Sequence, residues 1–418
     1  MSLISSIMPD KAPPLWTRSF TTLILGSAVT MLGHALSGFA VSLLVLDYTG
    51  SVFLYSLYLA AYFLPMVVMP LLAGPLMDNF SRVKMIYGLD FIAAFFYLGA
   101  WFLLRQGMFS YWPFLAAVVV LGCIDGIYLV AYDSLFPNLI AQGNFGRGYA
   151  ISSMLYPLAS MMTPVAAWIY GRWGVAPLFL CNFFFFFAAA AFETRIEAPE
   201  TYIQHSAGQR GKGFFLRELR SGFAYLRAEP GLMIITVYFF FTSFAGSGCS
   251  TLWLPYFKSV AALGATTYAF VQAFSVAGRF AGGLFQYRVR IPPKRKFAIA
   301  LTVYASICLF DGSLLYLPLW LMIVSSTCSG LLGVTSYNIR LSTTQAYVPD
   351  ELRGRFNGVF QMVTQGGTIL GQLLAGALGE KLPLRPLTLA FITVNVLAVL
   401  FIMVPGRESV KAIYNREV

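Results

Sequence analysis

The sequence predicts an all-α integral membrane protein of twelve transmembrane helices in two pseudo-symmetric six-helix bundles. Three observations carry this prediction. Of 418 residues, 58% are hydrophobic and 11% charged, and mean hydropathy is +0.72. A soluble domain carries about 25% charged residues, so the excess apolar surface must face lipid. Twelve apolar runs are each long enough to cross about 30 Å of hydrocarbon. Landmarks also recur between the two halves at one constant offset.

Residues 1–19 are polar and contain Pro9, Pro13 and Pro14. The first run, 20–46, is too long for a signal-peptide core and lacks a small-residue cleavage site, so it reads as a retained span. The remaining runs are 53–77, 84–104, 111–135, 148–171, 174–193, 231–256, 263–287, 296–317, 319–345, 355–380 and 385–405. Short loops join them, except between spans six and seven. There Phe215, Leu219, Gly222/Phe223 and Leu226 recur at helical spacing among Arg217, Arg220 and Arg227. This predicts a short amphipathic helix at the membrane surface, acting either as a tether between the halves or as a solvated linker. The expected units are 1–195, a linker 196–230, and 231–418.

Basic residues set the orientation. With a cytoplasmic N-terminus, twenty-one of the 28 Lys and Arg fall in cytoplasmic segments and five on the opposite side. Only Arg279 and Arg340 lie inside spans. This is a positive-inside bias, and it predicts a multi-pass plasma (inner) membrane protein with both termini cytoplasmic. The same distribution accounts for the net charge of +11 without nucleic acid as a partner. Cys123, Cys181, Cys249, Cys308 and Cys328 lie in apolar runs with no CxxC pair and no Cys/His cluster, so neither a disulfide framework nor a metal site is implied.

The repeat appears at an offset of 208 residues. It carries Gly74 onto Gly282, Arg147 onto Arg355 and Gly171 onto Gly379. Two parallel six-span repeats imply a pseudo-two-fold axis along the membrane normal, a substrate site near mid-bilayer between the halves, and rocking of the halves about it.

The segment after span two reads Gly74-Pro75-Leu76-Met77-Asp78-Asn79-Phe80-Ser81-Arg82-Val83-Lys84. Gly74 permits close helix approach. Asp78 sits beside its own helix C-terminus, a poor place for an anion, and so needs a partner, either Arg82 or the start of another helix. Arg353-Gly354-Arg355 opens span eleven. The segment resembles the G-x-L-a-D-r-x-G-r-k signature of the major facilitator superfamily, with Ser81 in place of the second glycine and Asn79 at the inner basic position. The resemblance implies that Gly74, Asp78, Arg82, Arg353 and Arg355 form a cytoplasmic latch between the halves. Tyr48-Thr49-Gly50-Ser51, Asp133-Ser134-Leu135-Phe136-Pro137 and Val348-Pro349-Asp350-Glu351-Leu352-Arg353-Gly354-Arg355 look like the drug:proton antiporter branch that includes macrolide efflux proteins. One departure is in span five, where Ser160-Met161-Met162-Thr163-Pro164-Val165-Ala166-Ala167 keeps the antiporter proline but not its glycines.

Ionisable groups at span depth are costly, which makes them functional candidates. His34 and Asp125 lie near the centres of spans one and four, which line the cavity in the resembled fold. They are candidates for substrate or proton coupling across the N-terminal half. Arg279, about 6 Å from mid-span, either binds an anionic substrate or pairs with an acid. The offset puts Arg340 on Tyr132, beside Asp133, which predicts an inter-half Asp133–Arg340 ion pair that closes a cytoplasmic gate. Asp90 and Asp311, on peripheral spans three and nine, are expected to pack. Phe239, Phe240, Phe241, Phe244, Trp253, Asn338, Gln361 and Gln365 give an expected cavity wall suited to an amphipathic substrate.

No GxxxxGK[ST], HExxH or GxSxG motif is present, so ATP hydrolysis and enzyme chemistry are not expected. No cofactor is called for. The expected function is secondary active transport of a small molecule, by proton-coupled efflux of a drug-like or amphipathic compound, with the monomer as the working unit in the bilayer. A nutrient importer, a lipid translocator and a non-transporting membrane sensor are the alternatives.

Overall fold

Thr17 opens the first helix: its side chain accepts a hydrogen bond from Phe20 N at 3.2 Å, satisfying one of the donors a helix start leaves free. The computed structural model describes residues 16–140, 148, 151, 152, 154, 155, 159–198, 214–288 and 292–416; for 71–79, 214–219, 287, 288, 350 and 351 it describes the backbone alone.

The N-terminal bundle comprises α1 (Arg18–Thr49), α2 (Val52–Asn79), α3 (Arg82–Arg105), α4 (Tyr111–Leu135), α5 (Thr163–Trp173) and α6 (Ala176–Glu193). A linker helix, α7 (Phe214–Ala228), follows. The C-terminal bundle comprises α8 (Pro230–Ser259), α9 (Gly264–Arg288), α10 (Lys296–Ser313), α11 (Leu319–Tyr347), α12 (Asp350–Gly379) and α13 (Leu384–Ala398), and the chain ends in α14 (Arg407–Tyr414). Nine of the described helical segments are long and apolar enough to cross a membrane. The helices α9 and α12 are of spanning length but more polar, and span five is described in part, which completes the twelve. Span five is not continuous: residues 161–162 form a turn and the helix restarts at Thr163 with Pro164 in its first turn, where a missing N–H costs nothing.

The packing repeats across the halves. In the N-terminal bundle α1 packs on α5 and α6, α3 on α4 and α6, and α2 on α4; the equivalent C-terminal helices pack in the same pairs. The halves meet at two crossings, α2 with α12 and α5 with α9, which exchange under the same pseudo-two-fold. The 208-residue repeat is visible in these contacts. At the far end, away from the termini, Gly379 on α12 lies against Val52 of α2, and its repeat partner Gly171 on α5 faces Thr266 of α9. The same offset relates Gly122 on α4 to Gly330 on α11. A Cβ at Gly122 would stand 2.3 Å from the Tyr62 carbonyl oxygen, and one at Gly330 would stand 2.1 Å from that of Ser275. Both mark backbone-to-backbone helix crossings of the kind membrane helices use.

Two surface elements belong to the C-terminal bundle. On the linker helix, Leu226 is buried and Gly222 lies so close to α12 that a Cβ would meet the Arg355 carbonyl at 2.9 Å. Of the amphipathic face expected at a membrane surface, Gly222 and Leu226 are thus spent on protein, while Phe223 is exposed. Tyr414 of α14 is fully buried and its hydroxyl shares a hydrogen bond with that of Tyr304 at 3.0 Å. Phe95, Phe184, Phe285, Leu309 and Phe401 remain exposed, as a surface bathed in lipid requires.

Candidate functional site

A cavity of about 590 Å³ lies between the halves, bounded by α1, α2, α4 and α5 on one side and by Leu254, Tyr268 and Gln272 on the other. Its wall is tyrosine-rich: Tyr55, Tyr58, Tyr62, Tyr97, Tyr128, Tyr132 and Tyr268 all line it, with His34 and Asp125 among them. The two groups singled out at mid-span thus meet. Tyr62 Oη donates to Asp125 Oδ2 at 2.5 Å, and His34 Nδ1 stands 3.8 Å from the same oxygen. The His34 ring is held edge-on to Phe186 at a centroid distance of 5.1 Å. Gly122 and Gly126 flank Asp125 and let α4 settle on the α2 backbone at Tyr62 and Met66. That small-residue pair is the local reason the carboxylate reaches Tyr62, and it stood in the sequence as an unread G-x-x-x-G.

The expected aromatic wall on span seven is corrected. Phe239 packs on Tyr304 and Phe360, and Phe244 on Phe391, inside the C-terminal bundle. Asn338 donates to Gln286 Oε1 at 2.9 Å, tying α11 to α9, and Gln361 is exposed. None of these residues lines the cavity. Helix rotation, which composition does not report, turned α8 inward and left the cavity to the N-terminal tyrosines.

Arg279 is exposed on α9 and its charge bears on partly buried Asp311, whose Oδ1 accepts from Ser329; it does not line the cavity. Arg340 is buried among Phe360, Tyr337 and Phe239, with its guanidinium carbon 4.5, 5.1 and 5.7 Å from their ring centroids. Asp133 is exposed, and the two charges make no ion pair with each other in this conformation. Arg82 Nη1 donates to the Ser134 carbonyl at 3.0 Å, closing the α3 start onto the α4 end. The Gly74 and Asp78 side-chain positions, and Arg147, lie outside the described residues. Arg353 and Arg355 sit on the first turns of α12, partly buried.

Sequence reasoning missed the seal at the far end. Lys258 of α8 pairs with Asp47 of α1, which also accepts from Tyr170 Oη of α5 at 2.6 Å. Glu380, just past α12, caps the α2 N-terminus: its Oε2 accepts from Val52 N at 3.0 Å and Phe53 N at 3.2 Å, where a helix start favours an anion. The apolar core follows the same line, running from the N-terminal bundle into Leu254, Ala265 and Ala269. Sequence reasoning also missed Glu193, fully buried at the end of α6.

The Major Facilitator Superfamily profile matches residues 23–371. Relatives by sequence include Macrolide efflux protein A of Streptococcus pyogenes, 22% identical over 387 residues, covering 87% of this chain and 91% of that protein. Enterobactin exporter EntS of Escherichia coli O1:K1 / APEC is 23% identical over 388 residues, covering 87% and 86%. Among solved structures, nucleoside transporter NupG superposes with a TM-score of 0.69 at 14% identity, covering 93% of this chain and 98% of that one. A bacterial homologue of the iron transporter ferroportin in its inward-facing state gives 0.62 at 15% identity, covering 94% and 98%. A profile match over most of the chain, on twelve helices paired as two repeats around a central cavity, establishes that this protein belongs to the major facilitator superfamily of secondary transporters.

Proposed function

We propose that the chain exports amphipathic aromatic compounds in exchange for protons, by alternating access in the plasma (inner) membrane with both termini cytoplasmic. The observation that carries this reading is the Asp125–Tyr62–His34 constellation in the wall of an inter-half cavity. A volume of about 590 Å³ falls in the range that takes drug-sized molecules. Tyrosine faces and hydroxyls supply stacking and a few hydrogen bonds, a poor match for a sugar. Asp125 either carries a proton or offers its charge to the cavity, with the His34 imidazole beside it. Binding substrate and holding the proton then compete, which is the requirement for exchange. The exporters among the sequence relatives favour the outward direction.

On this reading the near end, where both termini lie, is cytoplasmic and the sealed far end faces outward. Gly74, Asp78, Arg82, Arg353 and Arg355 are the proposed latch, and Asp133 with Arg340 the proposed ion pair. The test is ethidium and a panel of other aromatic amphiphiles in proteoliposomes under an imposed pH gradient. Accumulation that follows the gradient and is lost in Asp125→Asn supports the reading; gradient-independent flux for every compound moved refutes the coupling.

A further inference from the structure

Two more carboxylates lie behind the cavity, inside the N-terminal bundle. Asp90 of α3 is buried and its Oδ2 accepts from Thr30 Oγ1 at 2.6 Å. Glu193 of α6 is fully buried; its Oε1 accepts from Tyr128 Oη at 3.3 Å, while its buried Oε2 has no partner. Neither carboxylate has a Lys or Arg within 4.0 Å among the described residues.

Among the described residues, the charged groups that bear on these acids are other acids: Asp125 on Asp90, and Asp90 on Glu193. From α4, Tyr128 and Tyr132 also face Glu193. From α1 come Gly26, Ser27 and Thr30, with His34 turned to Asp125. Arg172, the charged residue of α5, is at that helix's far end.

The three acids are arranged in order along one face of α1. His34 stands beside Asp125, Thr30 holds Asp90, and Gly26 makes room for Glu193: a Cβ at Gly26 would lie 2.6 Å from Glu193 Cγ. Positions 26, 30 and 34 are spaced by four, so each step is about 6 Å along the helix. Thr30, Tyr128 and Ser27 line the cavity, so a hydroxyl stands between the cavity and each buried acid. Uncompensated buried charges of one sign are costly, and a proton is the cheapest way to remove one.

We propose that Asp90 and Glu193 form a proton relay running from Asp125 toward the near end within the N-terminal bundle, separate from the path the substrate takes. The relay rests on the proton-coupled reading above. Each transfer moves one proton from a carboxylic acid to the next carboxylate through the intervening hydroxyl, leaving donor and acceptor exchanged in charge.

Infrared difference spectroscopy on the purified full chain tests the relay without any substrate. The carboxylic C=O stretch, identified by its shift in deuterium oxide, should lose one component in Asp90→Asn and another in Glu193→Gln. Variant spectra identical to wild type would overturn the relay. The second arm is transport of ethidium. Each variant should lower gradient-driven accumulation tenfold or more while ethidium counterflow, which needs no net proton movement, stays within twofold of wild type. Accumulation within twofold of wild type, or counterflow falling in step with accumulation, would overturn the relay in favour of a packing role. A wild type that moves ethidium without regard to the gradient overturns the parent reading and the relay with it, an outcome recognisable from the wild type alone.

Discussion

Substituting Gly376 by alanine should force open the sealed end of the molecule. Gly376 of α12 faces Ser56 of α2, which is fully buried. A Cβ at Gly376 would stand 1.7 Å from Ser56 Oγ and 2.3 Å from Ser56 Cβ. The hydroxyl can rotate away, but the Cβ cannot. Carbon atoms rest at about 3.5 Å or more, so the two helices must part by about 1.2 Å or the far-end seal must open. Overpacking of this kind costs about 1–3 kcal/mol, a shift of roughly 5- to 150-fold in the balance between states. The cost falls on the sealed state alone if the opposite state separates α2 from α12 at this level. Spin labels at Met108→Cys and Trp320→Cys, exposed on opposite halves at this end, report the change after the five native cysteines are replaced. Gly376→Ala should move the distance distribution to longer values. Ser56→Gly should restore it, because the next neighbour of the added Cβ is then the Val52 carbonyl oxygen at 3.1 Å. An unchanged distribution, or no rescue by the double change, refutes the argument.

Other outcomes follow from the same geometry. Asp47→Asn removes a pair that is partly exposed on both sides, with side chains 36% and 23% accessible, so the seal should weaken by only about 0.2–1 kcal/mol, read as a smaller shift in the same distance distribution. Tyr62→Phe leaves Asp125 without its donor, at a cost of about 1–3 kcal/mol, measured as a lower thermal midpoint of the purified protein; an unchanged midpoint would mean water replaces the hydroxyl. Gly122→Ala should destabilise the N-terminal bundle more than Gly38→Ala, since a Cβ at Gly38 meets nothing within 4 Å; equal unfolding midpoints would contradict this. Charge reversal at Asp133 or Arg340 alone should impair transport, with partial rescue by the swap, and additive losses would remove the proposed gate.

Much of the architecture was legible because lipid imposes strong rules on sequence. Apolar runs count spans, and three paired landmarks sufficed to see the repeat that the Gly171 and Gly379 crossings display. His34 and Asp125 could be brought together because both are ionisable and central in spans of one half. Glu193 could not be read in this way. It closes an apolar run just before Thr194 and Arg195, where a charge looks like an ordinary boundary, and its burial depends on Gly26 in a helix far away in sequence. The cavity tyrosines were equally hidden, since an aromatic residue suits a lipid belt, a core or a cavity, and only the rotation of each helix decides. Asp133 and Arg340 were near-equivalent by offset, yet the two make no ion pair with each other in this conformation.

The crossing of α2 and α12 has a mechanical consequence. Its closest contact among the described residues, Ser56 against Gly376, lies close to one end of α2, leaving 23 residues beyond it to Asn79. That arm is about 35 Å long, so a tilt of only 10° about the crossing swings its tip by about 6 Å. A fulcrum so near one end gives a large gape at the opposite mouth for little motion at the seal. The same fulcrum cannot open the sealed mouth, because the short arm is only a turn long. The proposed alternating access would therefore require the pivot to travel along α2 and α12, each helix rolling over the other's small residues like a rocker on a flat surface.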